Sequence, residues 1–495
     1  MSNRVIHKRI SLPVLAMSLA LGGQINAPST PLQQAAVRPR GLELTPCKVE
    51  DFEKKVNDLL CGTYHVFENR QTRQGKMLPL KVILLPAREG PSEGVVYVFG
   101  GGPGEAGTEG AKWLPLSWEN KNHDVVIVDP RGTGEGHRLD CDFPKPANVQ
   151  ESLMSRIMFL EPCHERLSRT ADLTLYSTAT AVQDVDEIRE ALGHDKIIVR
   201  GGSYGSRAAI AYIKMFGEHV SRAILTGVMP FENRASLDVM EDQRNALDAV
   251  FADCARDPDC KAAYPNPQED MDVVRQRLRQ QPAKLTVKNP DTGQPEVVEY
   301  TDRMFGGAIV GKLGSIEAGR TIPLFLKRAR AGEFPQLVGG TSSPSSPKMG
   351  PSGYAWGLYH SVLCTEDVAR ISLRDIERGS SRAISSVEGA YERQFVCKNW
   401  PKTNLPADYF EPFRSTVPTL LISGDLDPVT PPKWGEVARR SFPNSVHLIV
   451  PAAHSFPRVP CMGIISQQFM RTGDVKNLDS SCIAKMTRPP FAMPK

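Results

Sequence analysis

A serine set between glycines, Gly201-Gly202-Ser203-Tyr204-Gly205, joins a short β-branched run to an apolar helical one. Lys196-Ile-Ile-Val-Arg200 reads as a strand, and Arg207-Ala-Ala-Ile-Ala-Tyr-Ile-Lys-Met-Phe216 reads as a helix. A Gly-x-Ser-x-Gly at such a junction implies a turn so sharp that its flanks need glycine to avoid side-chain clashes. The turn holds the Ser203 hydroxyl out above a helix N-terminus, where it can attack an acyl carbon. The backbone N–H of Tyr204 is then placed to face the oxyanion. A second match, Gly90-Pro-Ser-Glu-Gly94, precedes a strand and carries Pro and Glu, so it reads as a surface turn.

A serine nucleophile needs a base to take its proton, and the base needs an orienting carboxylate. Asp425 and Asp427 follow the strand-like Pro418–Ser423, and His454 follows the strand-like Val446–Val450. Serine, acid and histidine thus come in an order known for catalytic triads, each on a loop after a strand. His447 falls inside its strand and reads as structural. His360 belongs to a later insertion and is a candidate pocket residue. The glycines of Gly100-Gly-Gly-Pro-Gly104 follow Val95–Phe99 and let backbone approach a substrate closely. Gly101 or Gly102 is the expected second oxyanion donor. Each such donor stabilises transition-state charge by about 3 kcal/mol.

The elements that must position these groups are a series of short apolar strands. Besides those above, they are Met77–Leu85, Asp124–Val128 (running into Asp129-Pro-Arg-Gly-Thr-Gly134) and Arg222–Thr226. Uninterrupted apolar strands imply a mostly parallel sheet buried on both faces. Ala181-Val182, Val185, Ile188 and Ala191-Leu192 recur at helical spacing up to Gly193, which places helices between strands. From about 231 to 409 this rhythm breaks. The stretch is helix-rich and includes the flexible-looking Gly339–Gly350, and it reads as an insertion that lids the site. The expected organisation is a leader over 1–27, core over 28–230, helical cap over 231–409 and core again over 410–495.

The 495 residues carry a formal charge of +4, three of it from Arg4, Lys8 and Arg9. No basic field and no basic–aromatic patch is present, which argues against nucleic acid as partner. The basic start and the apolar Ile10–Leu21, too short to span a bilayer, resemble an export signal. No later segment is apolar enough for stable membrane insertion. The ten cysteines are even in number, as expected of disulfides in a periplasmic or secreted protein. Without Cys-x-x-Cys or His-Glu-x-x-His, no metal is expected. Gly102-Pro-Gly-Glu-Ala-Gly107, with Asp129 beyond it, mimics a dinucleotide fingerprint. The residues after it make a poor phosphate-binding helix start, and a nicotinamide enzyme would leave Ser203, Asp427 and His454 unexplained. No cofactor is therefore expected.

Four motifs, Gly100–Gly104, Asp129–Gly134, Gly201–Ser206 and Gly424-Asp-Leu-Asp-Pro-Val-Thr-Pro431, together resemble the prolyl iminopeptidase and tripeptidyl aminopeptidase branch of the α/β-hydrolases. Gly357-Leu-Tyr-His-Ser-Val-Leu-Cys-Thr-Glu-Asp367 is similar too, and the tail from Pro460 through Cys482 to Phe491 resembles that branch's TAP-like region. The chain departs from the pattern where Gly100 replaces a frequent His or Asn and Ser455 a frequent Gly.

The resemblance implies an α/β-hydrolase fold with a helical cap and a serine hydrolase that releases short peptides or residues from an N-terminus. It makes Asp427 the acid rather than Asp425. It also implies that neighbouring cysteines pair: Cys47–Cys61, Cys141–Cys163, Cys254–Cys260, Cys364–Cys397 and Cys461–Cys482. A carboxylesterase would use the same machinery, and a non-catalytic adhesion protein of this fold usually shows a broken triad. An aminopeptidase must recognise a free ammonium, best done by a buried carboxylate. Glu366 and Asp367, held by Cys364, are the candidates, with Trp356, Tyr359 and His360 as an apolar wall. The competing reading has both acids capping a helix that starts near Val368. The expected ligand is a short peptide or other small substrate, and the sequence leaves the oligomeric state open.

Overall fold

The computed structural model describes residues 42–47, 59–110, 118–134, 136–141, 153–288, 293–334, 354–385, 387–456 and 460–494. The leader read over 1–27 and the segment Gly339–Gly350 lie outside the described residues.

The strands β1 (Thr45–Pro46), β2 (Leu60–Phe67), β3 (Met77–Leu85), β4 (Val95–Phe99), β5 (Asp124–Val128), β6 (Ile197–Gly202), β7 (Val220–Thr226), β10 (Thr419–Gly424) and β11 (Ser445–Val450) form one sheet. Its order is β1-β2-β3-β5-β4-β6-β7-β10-β11. From β5 to β11 every neighbouring pair is parallel, and β1, β2 and β3 add an antiparallel edge. The central parallel strands are mainly apolar because helices cover both faces; every residue of β10 is buried. The expected strands are present. Strands β1 and β2 were not anticipated, nor was the hairpin of β8 (Ala283–Lys288) and β9 (Pro295–Tyr300). This hairpin lies in the otherwise helical stretch that leaves the sheet after β7 and rejoins it at β10.

That stretch has its own apolar core, in which Leu247, Val274, Phe305, Phe325 and Leu326 are buried. The same cluster takes in Leu426 and Ala453, the residues just before Asp427 and His454. Ser455 donates its N–H to the carbonyl of Gly314, the residue that ends an insertion helix (3.1 Å). The insertion therefore packs directly against the two loops that present the acid and the base.

All five neighbouring cysteine pairs are disulfides, and no described cysteine is free. Among the described residues no helix is long and apolar enough to cross a membrane.

Candidate active site

Strand β6 ends in the turn the sequence implies. Ser203 has φ 53° and ψ −128°, and with Arg73 it is one of two described non-glycine residues at positive φ. An L-residue held there costs about 1–3 kcal/mol, so the surroundings must enforce it. A Cβ on Gly201 would lie 2.1 Å from the Gly205 carbonyl oxygen, and one on Gly205 would lie 2.3 Å from that of Phe99. Only glycine lets the helix Tyr204–Phe216 start so close to β4 and β6. The Ser203 N–H donates to Thr226 O on β7 (3.0 Å). Ser206 Oγ donates to the Ser203 carbonyl (2.6 Å) and accepts from the Met229 N–H (2.8 Å).

The acid and the base meet this serine from strands two and three places along the sheet, β10 and β11. His454 Nε2 lies 3.1 Å from Ser203 Oγ. His454 Nδ1 lies 3.0 Å from both carboxylate oxygens of Asp427. Burial pushes the Asp427 carboxyl up. The bond from His454, its charge and the N–H groups of Thr430 and Val429 outweigh that, and hold it below its ordinary value. Thr430 Oγ1 donates to Asp427 as well (2.8 Å). An ionised Asp427 only accepts, which assigns the proton to Nδ1 and leaves Nε2 to accept the Ser203 hydroxyl proton. Asp425 is turned away and pairs with Arg488. His447, as expected, is structural: Nε2 meets Ser423 Oγ (2.9 Å) and Nδ1 meets Glu436 (2.6 Å).

Ser203 and His454 open on a cavity of about 620 Å³. Gly100, Gly101, Glu105, Trp118, Phe456 and Met462 are among its walls. The helix Pro460–Thr472, in the TAP-like tail, closes one side, with Gly463 packed on the Trp118 ring (3.3 Å from its Cβ position to the side chain). Sequence reasoning missed Glu105 and Trp118. Glu105 was visible as an acid in a loop otherwise made of Gly, Pro and Ala.

The oxyanion residues are adjacent to Ser203, but the Tyr204 N–H does not face the cavity. It donates to Gly101 O (3.1 Å). Gly102 packs under Tyr354, where a Cβ would come 2.5 Å from the phenol oxygen. Ala355 N–H donates to Gly104 O (2.8 Å), so the loop is braced from the insertion.

The residues expected to read the substrate amine lie elsewhere, which corrects that expectation. Glu366 is 1% exposed and its carboxylate is spent on the Thr178 N–H (2.6 Å) and the Tyr409 hydroxyl (3.0 Å). Burial raises its pKa against those bonds and the nearby Arg207. Asp367, also buried, accepts from the Ser236 N–H (2.9 Å). His360 packs its ring against Trp400 and Tyr359 (5.2 Å each). None of the three lines the cavity at Ser203. All three are core residues; the competing reading fails as well, since Asp367 makes no side-chain cap bond to the short helix Val368–Arg370 and the two carboxylates hold the N–H groups of Thr178 and Ser236 instead. The dinucleotide mimic has a structural explanation too. Asp129 accepts from Thr108 N (2.8 Å) and Thr108 Oγ1 (3.1 Å), and Arg131 is fully buried on Asp184 (2.6 Å).

A sheet of this order, with a serine elbow after β6, an acid after β10 and a histidine after β11, defines an α/β hydrolase, and the chain belongs to that family. The α/β hydrolase fold family matches residues 94–457. Serine protease Hip1 of Mycobacterium tuberculosis is 26% identical over 295 residues, covering 54% of this chain and 55% of that protein. The chain thus spans about half the length of that relative. Tripeptidyl aminopeptidase of Streptomyces coelicolor is 23% identical over 482 residues, covering 87% of this chain and 84% of that one. Among solved structures, the α/β hydrolase MGS-M2 from a deep-sea metagenome library is 12% identical with a TM-score of 0.33, covering 84% of this chain and 97% of that one.

Proposed function

We propose that the protein is an exported serine hydrolase that acts as an aminopeptidase, releasing residues or short peptides from a free N-terminus through an acyl-enzyme. The observation that carries this is the hydrogen-bonded row Ser203–His454–Asp427 opening on a cavity. The similarity to a named tripeptidyl aminopeptidase over most of both chains supports the peptide substrate. Five disulfides support an oxidising compartment and hence export.

In this reading His454 Nε2 takes the hydroxyl proton as Ser203 Oγ bonds to the substrate carbonyl carbon. Asp427 steadies the imidazolium. The tetrahedral oxyanion needs donors, and the Tyr204 N–H becomes one when the Gly101 carbonyl swings off it. Collapse breaks the C–N bond as His454 hands its proton to the leaving amine. Water then attacks the Ser203 ester, giving up its proton to His454, and the C–O bond breaks as His454 returns that proton to Ser203 Oγ and the acid product leaves.

A fluorophosphonate probe should label Ser203 and no other residue. Ser203→Ala should lose about 10⁶-fold in kcat while staying folded. A panel of free-amine peptides, N-blocked peptides and acyl esters then fixes the class. A wild type that prefers esters, N-blocked ones included, over free-amine peptides would be a carboxylesterase on the same fold, a reading that the apolar Trp118, Phe456 and Met462 lining also suits.

A further inference from the structure

We propose that the insertion helix Trp356–Glu366 sets the oxyanion hole from both of its ends, and that Glu366 and Thr178 are positioning residues for Tyr204. This rests on the serine-hydrolase reading above and gives the insertion a part in the transition state.

The residues that lead into the helix hold the glycine loop. Ala355 donates its N–H to Gly104 O (2.8 Å), and a Cβ on Gly104 would come 2.7 Å from the Ala355 carbonyl oxygen. The Tyr354 hydroxyl stands 2.5 Å from the Cβ position of Gly102. The far end of the helix holds the other half of the hole. Glu366 Oε1 accepts the Thr178 N–H (2.6 Å), and Thr178 Oγ1 meets the Tyr204 hydroxyl (2.8 Å). Tyr204 is thereby tied to the insertion through its side chain, while its N–H faces Gly101. The N–H groups in the first turn of a helix have no partner within it, so the tilt of the first residue decides where its N–H points. The anchored phenol fixes that tilt for Tyr204, the first residue of its helix.

The helix between the two ends is held along its length. The Gly357 N–H donates to Leu139 O (2.8 Å), and the Trp400 indole N–H donates to Ser361 Oγ (3.0 Å). Cys364 is bonded to Cys397, and Arg370 Nε donates to the Glu366 carbonyl (2.9 Å). Its 11 residues span about 16 Å.

Space in the glycine loop is unequal. Nothing lies within 4 Å of a Cβ at Gly100, and at Gly101 the nearest atom is 3.7 Å away, against 2.5 and 2.7 Å at Gly102 and Gly104. The helix therefore clamps the flanks of the hole and leaves the Gly101 peptide room to turn, which is the motion that frees the Tyr204 N–H.

The test uses p-nitrophenyl butyrate, an ester that a peptidase and an esterase of this type both cleave, and phenylboronic acid, whose tetrahedral adduct on Ser203 imitates the transition state. Thr178→Val removes the hydroxyl that holds Tyr204. It should lower kcat about tenfold, part of the 10²–10³-fold that loss of a donor costs, with KM within about twofold. Phenylboronic acid should bind about tenfold more weakly, in step with kcat. Thr178→Ser should recover most of both. Unchanged kcat, a fall in kcat without weaker boronate binding, or a loss that Thr178→Ser does not recover would overturn the assignment and leave the hydrolase reading standing. Should Thr178→Val fold poorly, Tyr204→Phe removes the same bond from the other side; the same paired loss is expected, and its absence refutes the proposal. A wild type that neither cleaves the ester nor takes a fluorophosphonate on Ser203 would bring down the hydrolase reading and this inference with it.

Discussion

The N–H of Tyr204 donates to the carbonyl oxygen of Gly101 across 3.1 Å, so the two halves of the expected oxyanion hole are bonded to each other. A substrate oxygen can gain the Tyr204 donor only by displacing that carbonyl. Turnover in our reading therefore includes a rotation of the Gly101 peptide, which a glycine-rich loop can make at low steric cost.

The loop's freedom is bounded by Tyr354. Gly102→Ala drives a Cβ toward the Tyr354 hydroxyl (2.5 Å), and should lower kcat by about 10²–10³-fold, the worth of a misplaced donor. Tyr354→Ala in the same chain should restore part of it. A double-mutant cycle on kcat/KM checks this, and zero coupling would show that Tyr354 does not set the loop.

Asp427→Asn should cost about 10⁴-fold in kcat by favouring the wrong His454 tautomer. It also changes the stability profile. The Asp427 carboxyl lies below its ordinary 3.8, so its stabilisation is complete above the unfolded value and is lost as pH falls through the depressed one. The gap in Tm between wild type and Asp427→Asn should be full at pH 7 and narrow below about pH 3.8.

Glu366→Gln should destabilise the fold by about 1–3 kcal/mol, since it disturbs the bonds from Thr178 and Tyr409. The ratio of free-amine to N-blocked turnover should stay put. Chemical denaturation paired with that ratio separates a structural role for Glu366 from a role in binding the substrate amine.

His447→Gln is the control for histidine chemistry. Ser423, His447 and Glu436 copy the triad's connectivity, yet Ser423 is fully buried in β10. The variant should lose about 1–3 kcal/mol of stability and keep kcat within about twofold. A large kcat loss with an unchanged Tm would contradict the structural role.

Removing Cys461 and Cys482 together, each to Ser, opens a loop of 21 residues and should cost about 3 kcal/mol in denaturant. KM should rise as well, because the helix Pro460–Thr472 forms one wall of the cavity.

The triad was legible because each member carries local punctuation. Ser203 sits between obligatory glycines, Asp427 follows a strand with an unbroken apolar centre, Leu420-Leu-Ile422, and His454 follows the last strand of the sheet. Glu366, Asp367 and His360 were misread because a polar residue's partners are tertiary facts. Nothing near Glu366 in sequence announces the Thr178 N–H or the Tyr409 hydroxyl. The β8–β9 hairpin did leave a signal, the alternation of Lys284-Leu-Thr-Val-Lys288 followed in sequence by the turn-favouring residue types Asn, Pro, Asp and Gly, but it was hidden inside a helical stretch. The capped Tyr204 N–H had none, since a peptide's orientation in a glycine loop is written in no side chain.

Every disulfide joins a cysteine to the next one along the chain, and the widest spans 33 residues. A polypeptide emerging N-terminus first therefore meets each correct partner before any wrong one from farther along. Pairing in order of arrival is also pairing in the native pattern, and oxidation can keep pace with emergence without a later round of reshuffling. His454 arrives after the first four bridges can close, so the base that would arm Ser203 is among the last parts of the enzyme to appear.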